Sequence, residues 1–477
     1  MAYVAYVTTL KNLRKHPNAD RLQLAECFGN TVCVSMEYVA DQVGVYFPTD
    51  GQLSVEFAEK NNLLRKKDEN GNNIGGYMDP DKRNVTTIRL RGEKSDGLFL
   101  PLSCLDYCYG ENDKAENHLK IGDTIDVVNG HDICTKYIPK RNNKTRSNTP
   151  EGNRTRKKKV PVAPLFMEHA DTEQLAYNLS AFKPGDLVEI TLKMHGTSQR
   201  TANLPRFNGY KRTLMDRILR REGVAQYNWG SVSGTRRVIL ADFDGGYYGS
   251  NEFREQHSKF FDGKLHKGET VYYEVVGFTT SGAPIMGDAD NKKLNDKDFV
   301  KQYGKTTTFS YGCSPTGKKT MYGRDAEGNF EIETTVPQSD IYVYRMTMTN
   351  EDGDVVEYTP DFMRYRCEQM GVKTVPVFAQ FIIPEFYQLP DDVGSLQVVD
   401  AGEYVRKIAE DFYDGPDPIG KTHVREGVVV RIVNRPKFCA YKHKNFSFKV
   451  LEGIIKADAV APDMEEAQDV AEENGEE

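Results

Sequence analysis

Lys193 ends a run of strand-forming residues, Leu187-Val188-Glu189-Ile190-Thr191-Leu192, and is followed by Met194, His195 and Gly196. A histidine and a glycine after such a run let the backbone turn sharply, which sets the lysine amine at the lip of a sheet. An amine in that position is either solvated surface charge or a nucleophile. A free lysine has a pKa of about 10.4, so roughly one molecule in 2,500 is neutral at pH 7. Bringing that value to about 7 means disfavouring the ammonium by roughly 4 to 5 kcal/mol, which nearby cations or a divalent metal can do. Further along, Glu274 lies in Tyr272-Tyr273-Glu274-Val275-Val276-Gly277 and Tyr344 in Ile341-Tyr342-Val343-Tyr344-Arg345. Glu426 precedes Gly427-Val428-Val429-Val430, and Lys442 and Lys444 sit in Tyr441-Lys442-His443-Lys444-Asn445. Taken singly, each carboxylate suits a strand-end ion pair, each lysine a solvated face, and Tyr344 a half-buried strand.

As an ordered series these strings mean more. Lys193-Met194-His195-Gly196-Thr197-Ser198 resembles motif I of the covalent nucleotidyltransferases, the superfamily of RNA ligases, DNA ligases and mRNA capping enzymes. Ser233-Gly234-Thr235-Arg236-Arg237 resembles motif Ia, with Arg236 or Arg237 as its arginine, and Glu274 falls in a likeness of motif III. Tyr344 matches motif IIIa, Glu426 motif IV, and Lys442 and Lys444 motif V. The resemblance covers Lys193 to Lys444 and implies that Lys193 forms a covalent lysyl-AMP from ATP. It also implies catalytic parts for Glu426, Lys442 and Lys444. The implied nucleotide site comprises Thr191, Leu192, Lys193, His195, Gly196, Arg236, Glu274, Tyr344, Lys442 and Lys444. Within it Glu274 holds the ribose, Tyr344 stacks on adenine and the lysines grip the phosphate. Glu426 with phosphate oxygens suits a hard cation, Mg2+ or Mn2+.

His195 stands where DNA ligases and capping enzymes usually carry aspartate, and little chain follows motif V. With that order the chain resembles the Deinococcus-type RNA ligases. The activity implied is joining an RNA 3′-OH to a 5′-phosphate, at nicks in RNA-containing duplexes. The readings from other classes are a DNA ligase, a GTP-using capping-type enzyme, and a non-catalytic RNA-binding protein; the nucleotide that labels the protein separates them. Leu192 stands where phage-type RNA ligases often carry glutamate.

The elements that must position these residues read as α+β. Residues 1–138 alternate short β-rich runs, such as Val4-Ala5-Tyr6-Val7 and Thr31-Val32-Cys33-Val34-Ser35, with glycine-bearing turns, and predict a small β-barrel. The stretches 16–22, opening on His16, and 90–98 resemble the OB-fold tRNA-binding modules appended to some aminoacyl-tRNA synthetases. Residues 139–164 predict a basic linker, 165–460 a nucleotidyltransferase domain of antiparallel sheets with flanking helices, and 461–477 an acidic disordered tail. Strands are expected at 186–192, 270–276, 341–349 and 427–432, and helices at 213–221 and 401–413. Two long segments, 206–229 and 311–339, have no counterpart in the resemblance and read as solvent-exposed insertions or RNA contacts.

The composition agrees with a globular protein of two or three domains: 477 residues, 38% hydrophobic. A net charge of -7 argues against a protein that coats nucleic acid indiscriminately. Eight scattered cysteines lack zinc-finger spacing, and with no signal-peptide pattern they predict a reducing, cytoplasmic setting. No apolar run approaches the roughly 18 residues of a membrane span. A monomer is expected.

Overall fold

A computed structural model describes residues 3–67, 73–138, 162–169, 172–221, 223–240, 243, 248, 250–322, 331–385, 388–390, 396–398 and 400–457. Most of the expected basic linker and all of the acidic tail lie outside the described residues. The chain divides into two compact units. One comprises Met1–Pro139 with Lys292–Lys297 and Lys449–Ile454; the other comprises Lys140–Asn291, Asp298–Phe448 and Ile455–Glu477.

The first unit is built on short strands. Ala5–Thr9 lies between Val43–Phe47 and Thr124–Ile125 in a four-stranded sheet that Leu98–Pro101 completes, and Lys11–Lys15, Leu22–Cys27 and Asn30–Ser35 form a three-stranded one. Alternation along these strands sends Ala5, Val7, Val45 and Phe47 into one core with Leu53, Phe57 and Leu105. His16 is fully buried. Its Nδ1 accepts from the Asn18 amide at 3.0 Å and its Nε2 meets the Leu90 carbonyl at 3.1 Å, while the Asn18 side chain donates to the Arg91 carbonyl at 3.0 Å. The stretches 16–22 and 90–98 are therefore bonded neighbours.

The second unit holds two larger sheets. Among its elements are, in chain order, β1 (Glu173–Gln174), β2 (Leu187–Lys193), β3 (Thr197–Lys211), α1 (Leu214–Ile218), β4 (Val224–Gly234), β5 (Ile239–Leu240), β6 (Glu269–Gly277), β7 (Ser339–Thr349), β8 (Val355–Glu357), α2 (Pro360–Met370), β9 (Val377–Ile382), α3 (Ala401–Tyr413), β10 (Gly427–Ile432) and β11 (Ala440–Lys444). The five-stranded sheet runs β1-β11-β10-β2-β9, antiparallel except for the β1 and β11 pair. The six-stranded sheet runs β5-β4-β3-β6-β7-β8 and is antiparallel throughout.

Period-two alternation in the five-stranded sheet separates a core face from a polar face. Val188, Ile190, Val428, Val430, Ile432 and Tyr441 pack with Val405 and Ala409 of α3 on the core face. Each such aliphatic side chain contributes about 1.5 to 3 kcal/mol by leaving water. Glu189, Thr191, Lys193, Val429 and Arg431 are left facing the other way. The chain passes from one sheet to the other through Met194, His195 and Gly196. Gly196 has no left-handed backbone; a Cβ there would lie 2.5 Å from the Val275 carbonyl, so close approach of β6 is what demands glycine.

Candidate active site

The polar face of the five-stranded sheet forms one wall of a pocket of about 850 Å³, its open mouth included. Thr191, Leu192, Lys193 and Met194 line it, with Glu189 from the same strand and Val429, Arg431 and Ala440 from β10 and β11. Arg236, Glu274 and Tyr344 approach from the six-stranded sheet, and Met363 and Arg364 from α2. Of the arginine pair singled out in the sequence, Arg236 lines the pocket; its carbonyl accepts from the His169 amide at 3.0 Å and from the Arg200 guanidinium. Tyr344 is half-buried, its hydroxyl 2.9 Å from Ser198 Oγ, which leaves a ring at the pocket wall.

Behind the lysine lies a buried carboxylate. β2 and β10 pair with Lys193 opposite Gly427, which brings Glu426, one residue earlier, under the amine. Lys193 Nζ is 2.7 Å from Glu426 Oε1, and Lys444 Nζ is 3.5 Å from the same oxygen. Glu426 Oε2 lies 3.5 Å from His195 Nδ1 and makes no hydrogen bond. Burial would raise the Glu426 pKa, but Lys193, Lys444 and His195 outweigh it and hold the carboxyl down at about 2. Lys444, one of the cations expected near the amine, reaches the same carboxylate, and that carboxylate is itself in contact with the Lys193 amine. Gly427 permits this geometry, because at φ +149° a Cβ would lie 2.1 Å from the His443 carbonyl.

The remaining sequence-selected residues occupy the surroundings. The His195 ring is buried between Phe309 and Phe448, with centroids 4.5 and 4.7 Å away, so it and Gly196 face away from the pocket lining. Lys442 and Lys444 share the Ala440 face of β11 by alternation, although neither lines the pocket itself.

Sequence reasoning missed several groups. His169 stands 5.4 Å from the Tyr344 ring and accepts at Nδ1 from Arg345, which is paired bidentately with Glu357. Glu189 is buried at the pocket floor and accepts from Arg364 at 2.8 Å; its place two and four residues before Thr191 and Lys193 on one strand face was a readable signal. Tyr311 begins a segment taken as an insertion, yet it is buried and its hydroxyl accepts from the His195 amide at 2.7 Å. Burial, with Asp417 nearby, pushes that hydroxyl well above its ordinary pKa. The segment 206–229 is the outer part of the β3 and β4 hairpin, with α1 at its end.

All eight cysteines are free. Among the described residues no cluster of three or more His, Cys, Asp or Glu forms a ready metal site, and no helix is long and apolar enough to cross a membrane.

No family model matches the chain, and no curated protein does. Solved structures match it in fold. A variant of the Naegleria gruberi RNA ligase without ligand is 15% identical, with a TM-score of 0.51 over 93% of this chain and 97% of that one. A second variant of that ligase, with ATP and Mn, is 16% identical at a TM-score of 0.51, covering 93% and 98%. A third, with AMP and Mn, is 16% identical at 0.50, covering 93% and 97%. The likeness spans nearly the full length of both chains and shows a shared mixed α+β fold.

Proposed function

We propose that the chain is an ATP-dependent RNA ligase that works through lysyl-AMP and seals breaks bearing a 3′-OH and a 5′-phosphate, including nicks in RNA-containing duplexes. The observation that carries this reading is the convergence of Lys193, Arg236, Glu274 and Tyr344 on one pocket, with Glu426 in contact with the lysine amine. The shared fold with a ligase solved with ATP and Mn supports it.

Lys193 Nζ, once it has lost a proton, attacks the α-phosphorus of ATP; a P–N bond forms, a P–O bond breaks and pyrophosphate leaves with the electron pair. Tyr344 offers its ring to the adenine and Glu274 accepts from the ribose hydroxyls. Arg236, Lys442 and Lys444 balance charge that builds on the α-phosphate. The unbonded Oε2 of Glu426 fits a single carboxylate contact to Mg2+ or Mn2+, which when bound would neutralise charge on the triphosphate. AMP then passes to an RNA 5′-phosphate, and the 3′-OH displaces it as the strand closes. The N-terminal unit is read as an OB-fold module, residues 1–138, that positions the RNA.

Labelled ATP with a divalent cation should leave AMP on the protein as an acid-labile phosphoramidate, and labelled GTP should not. A nick-sealing assay that varies RNA and DNA separately on the 3′-OH and 5′-phosphate sides tests the substrate. Equal labelling by GTP, or sealing that ignores the sugar of the 3′-OH strand, would discard the RNA-ligase assignment.

A further inference from the structure

The β3 and β4 hairpin outruns its sheet. β3 pairs with β6 only from Thr197 to Ala202, whereas its pairing with β4 continues to Lys211 opposite Val224. The last nine residues of β3 therefore form a two-stranded arm about 30 Å long at an ordinary strand rise. Its root is anchored: Leu204 and Val232 pack with Ala163 and Phe166, and the Phe207 amide donates to the Val162 carbonyl at 2.7 Å.

The arm ends in an ordered tip. Thr213 and Asp216 make a reciprocal cap, with the Asp216 carboxylate accepting from the Thr213 amide at 2.9 Å and from its hydroxyl at 2.6 Å. Backbone bonds from Leu219 to Met215 and from Arg221 to Asp216 close the turn. That order holds an apolar face outward: Leu214, Met215, Ile218 and Leu219, at helical spacings of one, four and five, are 75%, 65%, 67% and 50% exposed. A short amphipathic turn normally buries this face. Lys211, Arg212, Arg217, Arg220 and Arg221 are exposed around it, and Asp216, the acid among residues 211–221, is engaged in the cap.

A cationic collar favours a polyanion, and large apolar side chains at its centre favour a polyanion that offers flat unsolvated surfaces. Duplex nucleic acid has both, since its phosphates flank base pairs that aliphatic side chains can enter as wedges. The wide, shallow minor groove of an A-form duplex admits such a tip. We propose that the arm grips an RNA-containing duplex, with Leu214, Met215, Ile218 and Leu219 pressed against a base step from the minor groove and the collar arginines on phosphates to either side. The proposal rests on the ligase reading in the choice of a nicked RNA duplex as probe and in the AMP uptake that checks the variants.

The test uses the full chain, the variant Leu214→Ser/Ile218→Ser and the variant Arg217→Ala/Arg220→Ala. The probe is a nicked RNA duplex with 2-aminopurine placed in turn at steps near the nick. The unaltered protein should raise the fluorescence at one or two steps. The serine variant should lose that rise and bind the duplex about tenfold more weakly. The arginine variant should keep the rise at saturation, and the slope of its affinity against salt should be shallower by about two. AMP uptake from ATP should be the same in all three, which certifies the fold of the variants. Duplex binding and fluorescence in the serine variant equal to the unaltered protein would overturn the wedge. So would binding to phosphatidylserine vesicles that the serine substitutions abolish while duplex binding stays unchanged. Absence of AMP uptake even in the unaltered protein would defeat the ligase reading and leave the duplex measurements to judge the arm on their own.

Discussion

His16 and Lys193 each open a short string that points toward RNA chemistry, and the structure treats them in opposite ways. His16 is fully buried with both ring nitrogens engaged, tying two stretches of the first unit together. Lys193 reaches a pocket and touches a buried carboxylate whose second oxygen makes no hydrogen bond. The difference separates a strut from a candidate reactive group: polar atoms satisfied within the fold hold it together, whereas charged groups set together at a pocket are placed to meet a ligand. A motif residue can be either, and its hydrogen bonds decide which.

The comparison breaks most decisively at the lysine. Lys193→Ala should abolish AMP labelling altogether while the thermal transition stays intact; residual labelling in this variant would remove the lysine from its role. Glu426→Gln should come next, slowing single-turnover labelling by about thirtyfold, or some 2 kcal/mol of transition-state stabilisation. The same variant sharpens the electrostatic side. The folded pKa of Glu426 is depressed from 4.5 to about 2, so the stability due to its ionised form is complete above about pH 4.5 and is lost as pH falls toward 2. Denaturant titrations of the two proteins should differ at pH 6 and draw together across that window. A constant gap down to pH 2 would mean the carboxylate is not held ionised by its neighbours.

At His16 the expected pattern is reversed. His16→Ala should leave AMP labelling unchanged but destabilise the protein by about 2 kcal/mol, because the Asn18 amide and Leu90 carbonyl lose their partner. Loss of RNA affinity without loss of stability would instead make His16 a contact residue. Smallest is Tyr311→Phe, which strips the acceptor from the buried His195 amide and should cost about 1 kcal/mol in a denaturant titration. A few-fold slowing of labelling should accompany it, since the His195 ring faces Glu426.

Much of the site was legible because strands announce themselves by alternation. The expected strand at 427–432 and helix at 401–413 coincide with β10 and α3, and the expected strands at 186–192, 270–276 and 341–349 fall within a residue or two of β2, β6 and β7. The helix expected at 213–221 shortens to Leu214–Ile218, because it is the end of a hairpin with no tertiary surface to extend it. His169 and Tyr311 were not legible. Each reaches the centre through contacts across a hundred or more residues, and no local pattern encodes them. The contact between Glu426 and the Lys193 amine was not legible for a related reason: the register that brings Glu426 beneath the amine belongs to strand pairing, which one strand's sequence does not contain.

That register bears on how the protein can fail. Nucleophile and carboxylate are spaced by backbone bonds between two central strands rather than by a loop, so fraying at the surface cannot pull them apart. Amides of β2 and β10 should be among the slowest in the chain to exchange with deuterium, opening only when the larger unit unfolds as a whole. Thermal loss of AMP uptake should then coincide with the melting of that unit instead of preceding it.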